Sequence, residues 1–157
     1  MAQFTCHEAA LTDTLAETLI ACSAAWEAEN SCFGYRQNEL SDLAGRRIFI
    51  AEADGALIGY LFGLTERTKQ ETSVAYADTP YFEVEELYVV PQWRSCGVGR
   101  ALFHMAEEAA CAEELPLLML GTATKNWRAI LHFYLDELGM EFWSARLFKR
   151  LAPEKRS

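Results

Sequence analysis

No apolar run in this chain of 157 residues approaches the ~20 needed to cross a bilayer. The first residues lack the basic and apolar regions of a secretion signal. Net charge is −9 and no basic stripe runs along any segment, which argues against a nucleic acid or an anionic membrane as partner. The one basic cluster, Lys149, Arg150, Lys155 and Arg156, reads as a solvated end, with 153–157 a short tail. No Gly-Lys-Ser/Thr follows a glycine loop and the six-residue dinucleotide glycine pattern is missing, so the common nucleotide loops are excluded. The five cysteines, Cys6, Cys22, Cys32, Cys96 and Cys111, are odd in number and fit no zinc spacing. No metal site is expected, and without a secretion signal reduced thiols in the cytoplasm are the default.

What is present is an ordinary globular composition, 51% hydrophobic and 24% charged. The length suits one domain, 1–152, able to bury roughly 70% of its unfolded surface. A strand is expected over 3–6. A helix follows, with Leu11, Leu15, Leu19, Cys22 and Trp26 on one face and Thr12 or Asp13 as cap. A short helix fits 37–43. Apolar strands at 47–53 and 57–64 are joined by Asp54-Gly55, a strong hairpin signal. A polar loop covers 70–80, a strand 82–90, and a helix 97–112 with Val98, Leu102, Met105 and Ala109 inward. The short apolar strand 117–121 suggests burial on both faces. A helix at 126–138 ends at Gly139, and 141–143 with 146–151 read as a last pair of strands. Hairpins first and helical crossovers later describe an α/β (α+β) fold, a mixed, largely antiparallel sheet of about seven strands with helices on both faces.

The densest information lies between Glu85 and Leu102. An apolar strand meets Pro91, a loop follows, and Gly97 and Gly99 open a helix. The unpaired N–H groups and positive dipole end of such a helix bind phosphate. Arg94 and Arg100 add charge suited to a diphosphate. Taken alone the two glycines fit a tight turn equally well.

Together with the later motif, the chain resembles the GNAT superfamily of acyl-CoA-dependent N-acyltransferases along nearly its whole length. The family's pyrophosphate motif, Arg/Gln-x-x-Gly-x-Gly/Ala, is matched by Arg94-Ser95-Cys96-Gly97-Val98-Gly99, preceded by Leu87-Tyr88-Val89 and Pro91. The second, Asn-x-x-Ala followed by Tyr and Gly-Phe, is matched in order by Asn126, Ala129, Tyr134 and Gly139-Met140. Ser95-Cys96 replaces the commoner Gly with a basic residue. Tyr134 lies one residue further than usual from both Asn126 and Gly139.

The resemblance implies acetyl-CoA as cosubstrate. The cofactor-binding positions are then Leu87, Tyr88, Val89, the loop Arg94, Ser95, Cys96, Gly97, Val98, Gly99 and Arg100, the Asn126 side chain and Tyr134. It implies that the strand carrying Leu87 and Val89 splays from the 117–121 strand, that the Leu87 N–H polarises the thioester carbonyl, and that Tyr134 protonates the leaving thiolate. From the residues themselves, an alkylammonium with a pKa of about 10 must lose a proton before attack, and a desolvated carboxylate can take it. Alternation puts Glu83 and Glu85 on one face and Glu86 on the other, and repulsion within the pair raises one of them. In the family both positions serve as base in different branches; Glu85 is taken as the base and Glu83 as the alternative. Trp26 and Tyr35, with Glu83 and Glu85, are the substrate candidates, and Trp26 and Phe33 fit core positions equally well. Asn126 fits a helix N-cap equally well. His104 and His132 fall on polar helix faces.

The expected activity is acetyl transfer to the primary amine of a small cationic substrate: a polyamine, an aminoglycoside or an amino-acid-like amine. A protein lysine or N-terminus as acceptor is the first alternative and a non-catalytic acyl-CoA-binding module the second. The apolar residues Phe142, Trp143, Leu147 and Phe148 fit a homodimer interface or the end of the core.

Overall fold

The computed structural model describes residues 3–152, and the chain forms two compact units, Met1–Trp127 and Arg128–Ser157. The basic tail expected over 153–157 lies outside the described residues. In the first unit β1 (Thr5–Ala9), β2 (Arg47–Ala53), β3 (Ala56–Arg67), β4 (Pro80–Val89) and β5 (Leu117–Met119) form one sheet in that order. Its first three junctions are antiparallel and β4 pairs β5 in parallel. Asp54 and Gly55 both take positive φ, 50° and 77°, as a two-residue hairpin between β2 and β3 requires.

Helices cover the two faces with separate cores. On one side α1 (Asp13–Glu29) and α2 (Leu40–Leu43) bury Ala16, Leu19 and Leu43 against Ile48, Ile50, Tyr60, Phe62 and Tyr88. Leu11, Leu15, Cys22 and Trp26 join that cluster, so the expected stripe is the packed one. The Thr12 hydroxyl caps α1, accepting the Leu15 N–H at 3.1 Å. On the other side α3 (Val98–Ala112) buries Val98, Leu102, Phe103, Ala106 and Ala110 against Phe49, Ala51, Leu61, Phe82 and Val84.

The β3–β4 ladder breaks once. Phe62 faces Glu86 and Gly63 faces Val84, so Glu85 is an extra residue opposite the Phe62–Gly63 step. This bulge corrects the alternation expected for the three glutamates. Phe82, Val84 and Leu87 belong to the α3 face, whereas Glu86 bonds to Tyr60 on the α1 face. Glu83, paired with Leu64, Glu85 and Glu86 therefore all share the α1 face. Gly63 makes the bulge possible, because a methyl group there would overlap the Glu83 carbonyl and crowd the Phe82 ring.

The β4–β5 ladder is short. It holds the pairs 81–117, 82–118 and 83–119, although β4 runs on to Val89. Beyond Glu83 no strand among the described residues pairs with that edge of β4. The Val90 N–H donates to the Ile58 carbonyl at 2.9 Å on the opposite side. Alternation of an antiparallel ladder then turns the peptide groups of Tyr88 and Glu86 toward β3, and those of Leu87 and Val89 toward the open edge.

Among the described residues five strands form rather than about seven. Residues 141–143 and 146–151 carry no ladder and are irregular. Phe142 and Trp143 are neighbours, so a strand would send them to opposite faces and would need cover on both. In the second unit these residues are instead exposed, with Leu147 94% accessible. The helix expected over 126–138 divides into α4 (Trp127–Leu131) and a π-helical stretch, His132–Glu137, before Gly139 ends it with φ 71°.

Gly63→Ala is expected to destabilise the fold by about 1–3 kcal/mol, the range for overpacking against unyielding backbone. Gly121→Ala, where the new methyl would meet open space, is the control and should be near neutral. Urea midpoints of the two variants provide the comparison.

Candidate active site

Burial and charge separate the three glutamates of β4. Glu83 stands at the last β4–β5 pair, where the two strands part. It is half-buried, and among the described residues no cation or hydrogen-bond donor reaches its carboxylate. Burial first, then the charges of Glu66 and Glu85, push its carboxyl up to about 7. Tyr81, beside it, donates to Glu66 at 3.1 Å.

Glu85 is paired. Arg46 grips it with two parallel bonds, Nε to Oε2 at 2.8 Å and Nη2 to Oε1 at 3.1 Å. Arg46 enters from the turn between α2 and β2, where Gly45 has φ 75° and the Arg46 N–H donates to the Leu43 carbonyl. Its Nη1 also donates to the Ala44 carbonyl at 3.1 Å. Glu86 is the most enclosed of the three. Its Oε2 accepts the Tyr60 hydroxyl at 2.8 Å and Asn38 Nδ2 at 2.9 Å. Burial raises its carboxyl and these donors oppose the rise. The Asn38 N–H is itself held by Ser23 Oγ. Asn38, Asp42, Arg46, Phe62, Glu85 and Glu86 line a pocket of about 170 Å³ beside them.

The aromatic candidates pack against one another. Trp26 stacks on Tyr88 with centroids 5.3 Å apart and lies 4.2 Å from Tyr35. The Tyr35 hydroxyl is buried close to Glu86, and no partner meets hydrogen-bond geometry. Phe33 is half exposed, with the Lys125 ammonium 5.2 Å above its ring. Residues 31–33 and 123–125 form a short backbone ladder, Phe33 N–H to Ala123 O at 2.9 Å and Lys125 N–H to Ser31 O at 2.8 Å.

The glycine loop sits where the sequence put it. Gly97 caps α3 with φ 87°, Ser95 takes φ 60°, and Val98 anchors the helix in the core. The first intrahelical bond is Ala101 N–H to Gly97 O, so the Val98, Gly99 and Arg100 N–H groups precede the ladder. Cys96 is exposed, its thiol 3.5 Å from the Arg94 carbonyl. Arg94 turns back from the loop. Its Nε donates to the Val89 carbonyl at 2.9 Å, its Nη2 to both Glu29 oxygens at 2.7 and 2.9 Å, and its guanidinium lies 5.5 Å from the Tyr88 ring centroid. Arg100 is exposed on the first turn of α3.

Asn126 is exposed directly before α4, its N–H donating to Thr124 Oγ1 at 3.1 Å. In the second unit Tyr134 lies within the π-helical stretch, 5.1 Å edge-on to Phe133, and its carbonyl accepts the Met140 N–H. His104 and His132 are exposed and paired with Glu107 and Asp136. Asn38, Arg46, Tyr60 and Glu66 were absent from the residues singled out in the sequence. Glu66 was within reach of hairpin register, facing Tyr81 across β3 and β4. The other three had no local signal.

Because folding raises the Glu83 carboxyl from 4.5 to about 7, its bound proton favours the fold. That contribution is complete below pH 4.5 and lost as pH rises through about 7. Glu83→Gln should remove this loss, so the melting temperature should fall less between pH 5 and pH 8 in the variant than in the parent; scanning calorimetry at the two pH values measures it.

The GNAT acetyltransferase family model matches residues 11–140. Among solved structures the chain is similar to an aminoglycoside acetyltransferase from an uncultured soil metagenomic sample, solved with trehalose and with sisomicin. Identity is 16% over 95% of this chain and 97% of that one, with a TM-score of 0.67. AAC(6')-Iy in complex with the bisubstrate analogue CoA-S-monomethyl-acetylneamine gives 19% over 97% and 100%, with a TM-score of 0.67. A Trypanosoma brucei acetyltransferase gives 14% over 95% and 100%, with a TM-score of 0.66. At these identities the likeness shows the fold alone. No curated protein sequence matches. The family match runs from the start of α1 through the turn after the π-helical stretch, and the chain belongs to the GNAT acetyltransferase family.

Proposed function

We propose that the protein transfers an acetyl group from acetyl-CoA to the primary amine of a small cationic substrate, a polyamine, an aminoglycoside or an amino-acid-like amine, with Glu83 as the base. The observation that carries this reading is the state of Glu83: a half-buried carboxylate with no cation beside it, raised to about 7, at the fork of β4 and β5. A base with that affinity holds a proton delivered by an ammonium at neutral pH and releases it again. Glu85 is the weaker candidate because Arg46 already occupies both of its oxygens.

The residues fit the cosubstrate on two counts. The Leu87 peptide group and the Val89 N–H face an edge of β4 that β5 leaves open, and the α3 N-terminus offers N–H groups outside its own ladder. Acetyl-CoA, when bound, supplies the thioester carbonyl carbon that the amine nitrogen attacks. The Leu87 N–H would donate to the thioester oxygen as it gains charge. Gly97, Val98 and Gly99 would hold the diphosphate through their N–H groups, with Arg100 adding charge. Arg94 contributes by bracing the loop against Val89 and Glu29. The resemblance assigns protonation of the leaving thiolate to Tyr134, and Tyr134→Phe tests that role by itself. Net charge of −9 and the five carboxylates Asp42, Glu66, Glu83, Glu85 and Glu86 on this face favour a cationic acceptor.

Calorimetric titration with acetyl-CoA and desulfo-CoA should give micromolar binding, lost in Gly97→Trp. With sisomicin, spermidine and lysine as acceptors, Glu83→Gln should lower kcat about 100-fold or more while acetyl-CoA affinity stays within about twofold. Glu85→Gln should have the smaller effect. No cosubstrate binding by the parent protein would remove the reading, and full turnover by Glu83→Gln would remove Glu83 as base.

A further inference from the structure

We propose that Arg46 is a positioning residue that decides which glutamate of β4 does the proton chemistry: it withdraws Glu85 into a bidentate ion pair and leaves Glu83 the role. The inference rests on the reading of Glu83 as base. Three observations support it. Glu83 and Glu85 flank Val84 and share the α1 face, so each can accept a proton from the same ammonium. Both Glu85 oxygens are committed to Arg46, at 2.8 and 3.1 Å, and a planar guanidinium matches a carboxylate in a way an ammonium cannot. The guanidinium is itself held, by the Ala44 carbonyl at 3.1 Å and by a turn that Gly45 shapes, so the pair has a fixed geometry even though its side chains are 27% and 29% accessible.

The charges around the two glutamates are few. Glu83 meets Glu66 from β3 and Glu85 from its own strand, with Tyr81 bonded to Glu66. Arg46 faces Glu85 from the α2–β2 turn, Asp42 from α2 and Glu66 from β3, and Glu86 shares its pocket. Among these groups Arg46 is the cation. It therefore offsets the charge that Glu85 exerts on Glu83 while denying Glu85 a free oxygen. Without Arg46, Glu85 would press its full charge on Glu83 and would itself be available to an ammonium.

The test uses Arg46→Gln, Arg46→Lys, Glu83→Gln and the double variant Glu83→Gln/Arg46→Gln. Carboxyl-labelled glutamate followed by NMR gives the Glu83 titration midpoint without any turnover. Arg46→Gln should move that midpoint up by about half a pH unit or more, and Arg46→Lys, which keeps the charge, should move it less. With sisomicin as acceptor, Glu83→Gln should be nearly inactive and the double variant about tenfold more active than it, because Glu85 is released. A merely structural Arg46 would leave the midpoint in place and make the double variant worse than the single. An unmoved midpoint, or a double variant no better than Glu83→Gln, overturns the proposal. If Glu83→Gln alone keeps full turnover, the base assignment itself has failed, and the midpoint, read independently, shows which of the two ideas was wrong.

Discussion

The passage of the Gly63 backbone against the Glu83 carbonyl lets β4 carry one residue more than its partner between Val84 and Glu86. The grouping of Glu86 with Glu83 and Glu85 follows from that extra residue. Without it Glu86 would point into the α3 core among Phe82, Val84 and Leu61, where no donor waits for it. With it, Glu86 meets Tyr60 and Asn38 beside the Glu85–Arg46 pair. Glu83 precedes the break and lies on the α1 face in either case, at the place where β5 ends.

Three identical side chains on one strand thus acquire three electrostatic states. Glu86 is enclosed but satisfied by two donors, a strut between β4, β3 and the segment before α2. Glu85 is balanced by a guanidinium. Glu83 is left with burial and like charge, both of which favour its proton. Environment, not residue type, makes the difference, and at Glu83 burial of an unpaired carboxylate is the larger of two influences acting in the same direction.

Local sequence signals were reliable where the cause is local. Thr12 caps α1, Asp54-Gly55 closes a hairpin and Gly97 starts α3, since each of these depends on a few neighbouring dihedrals. The grouping of Glu83, Glu85 and Glu86 was misread because period-two alternation assumes an unbroken ladder, and the break depends on a glycine about twenty residues away on another strand. Arg46 and Asn38 reach the site across 39 and 48 residues of chain, a separation that leaves no pattern in a single sequence. Arg94 pairs with Glu29, 65 residues earlier, a partner that its place in the glycine loop does not disclose. The two C-terminal strands were inferred from apolar content alone, which does not distinguish a strand from an irregular segment when the apolar residues are adjacent.

The short ladder between 31–33 and 123–125 joins the stretch after α1 to the stretch after β5, and Lys125 reinforces it by donating to Asn30. These two loops are therefore one structural element encoded in two distant parts of the gene. An insertion in either would slide its register against the other and displace Tyr35 or Asn126 along with it. Either loop therefore tolerates exchange of side chains such as Phe33 more readily than a change of length, and a graft that transplants one without its counterpart would arrive without its anchor.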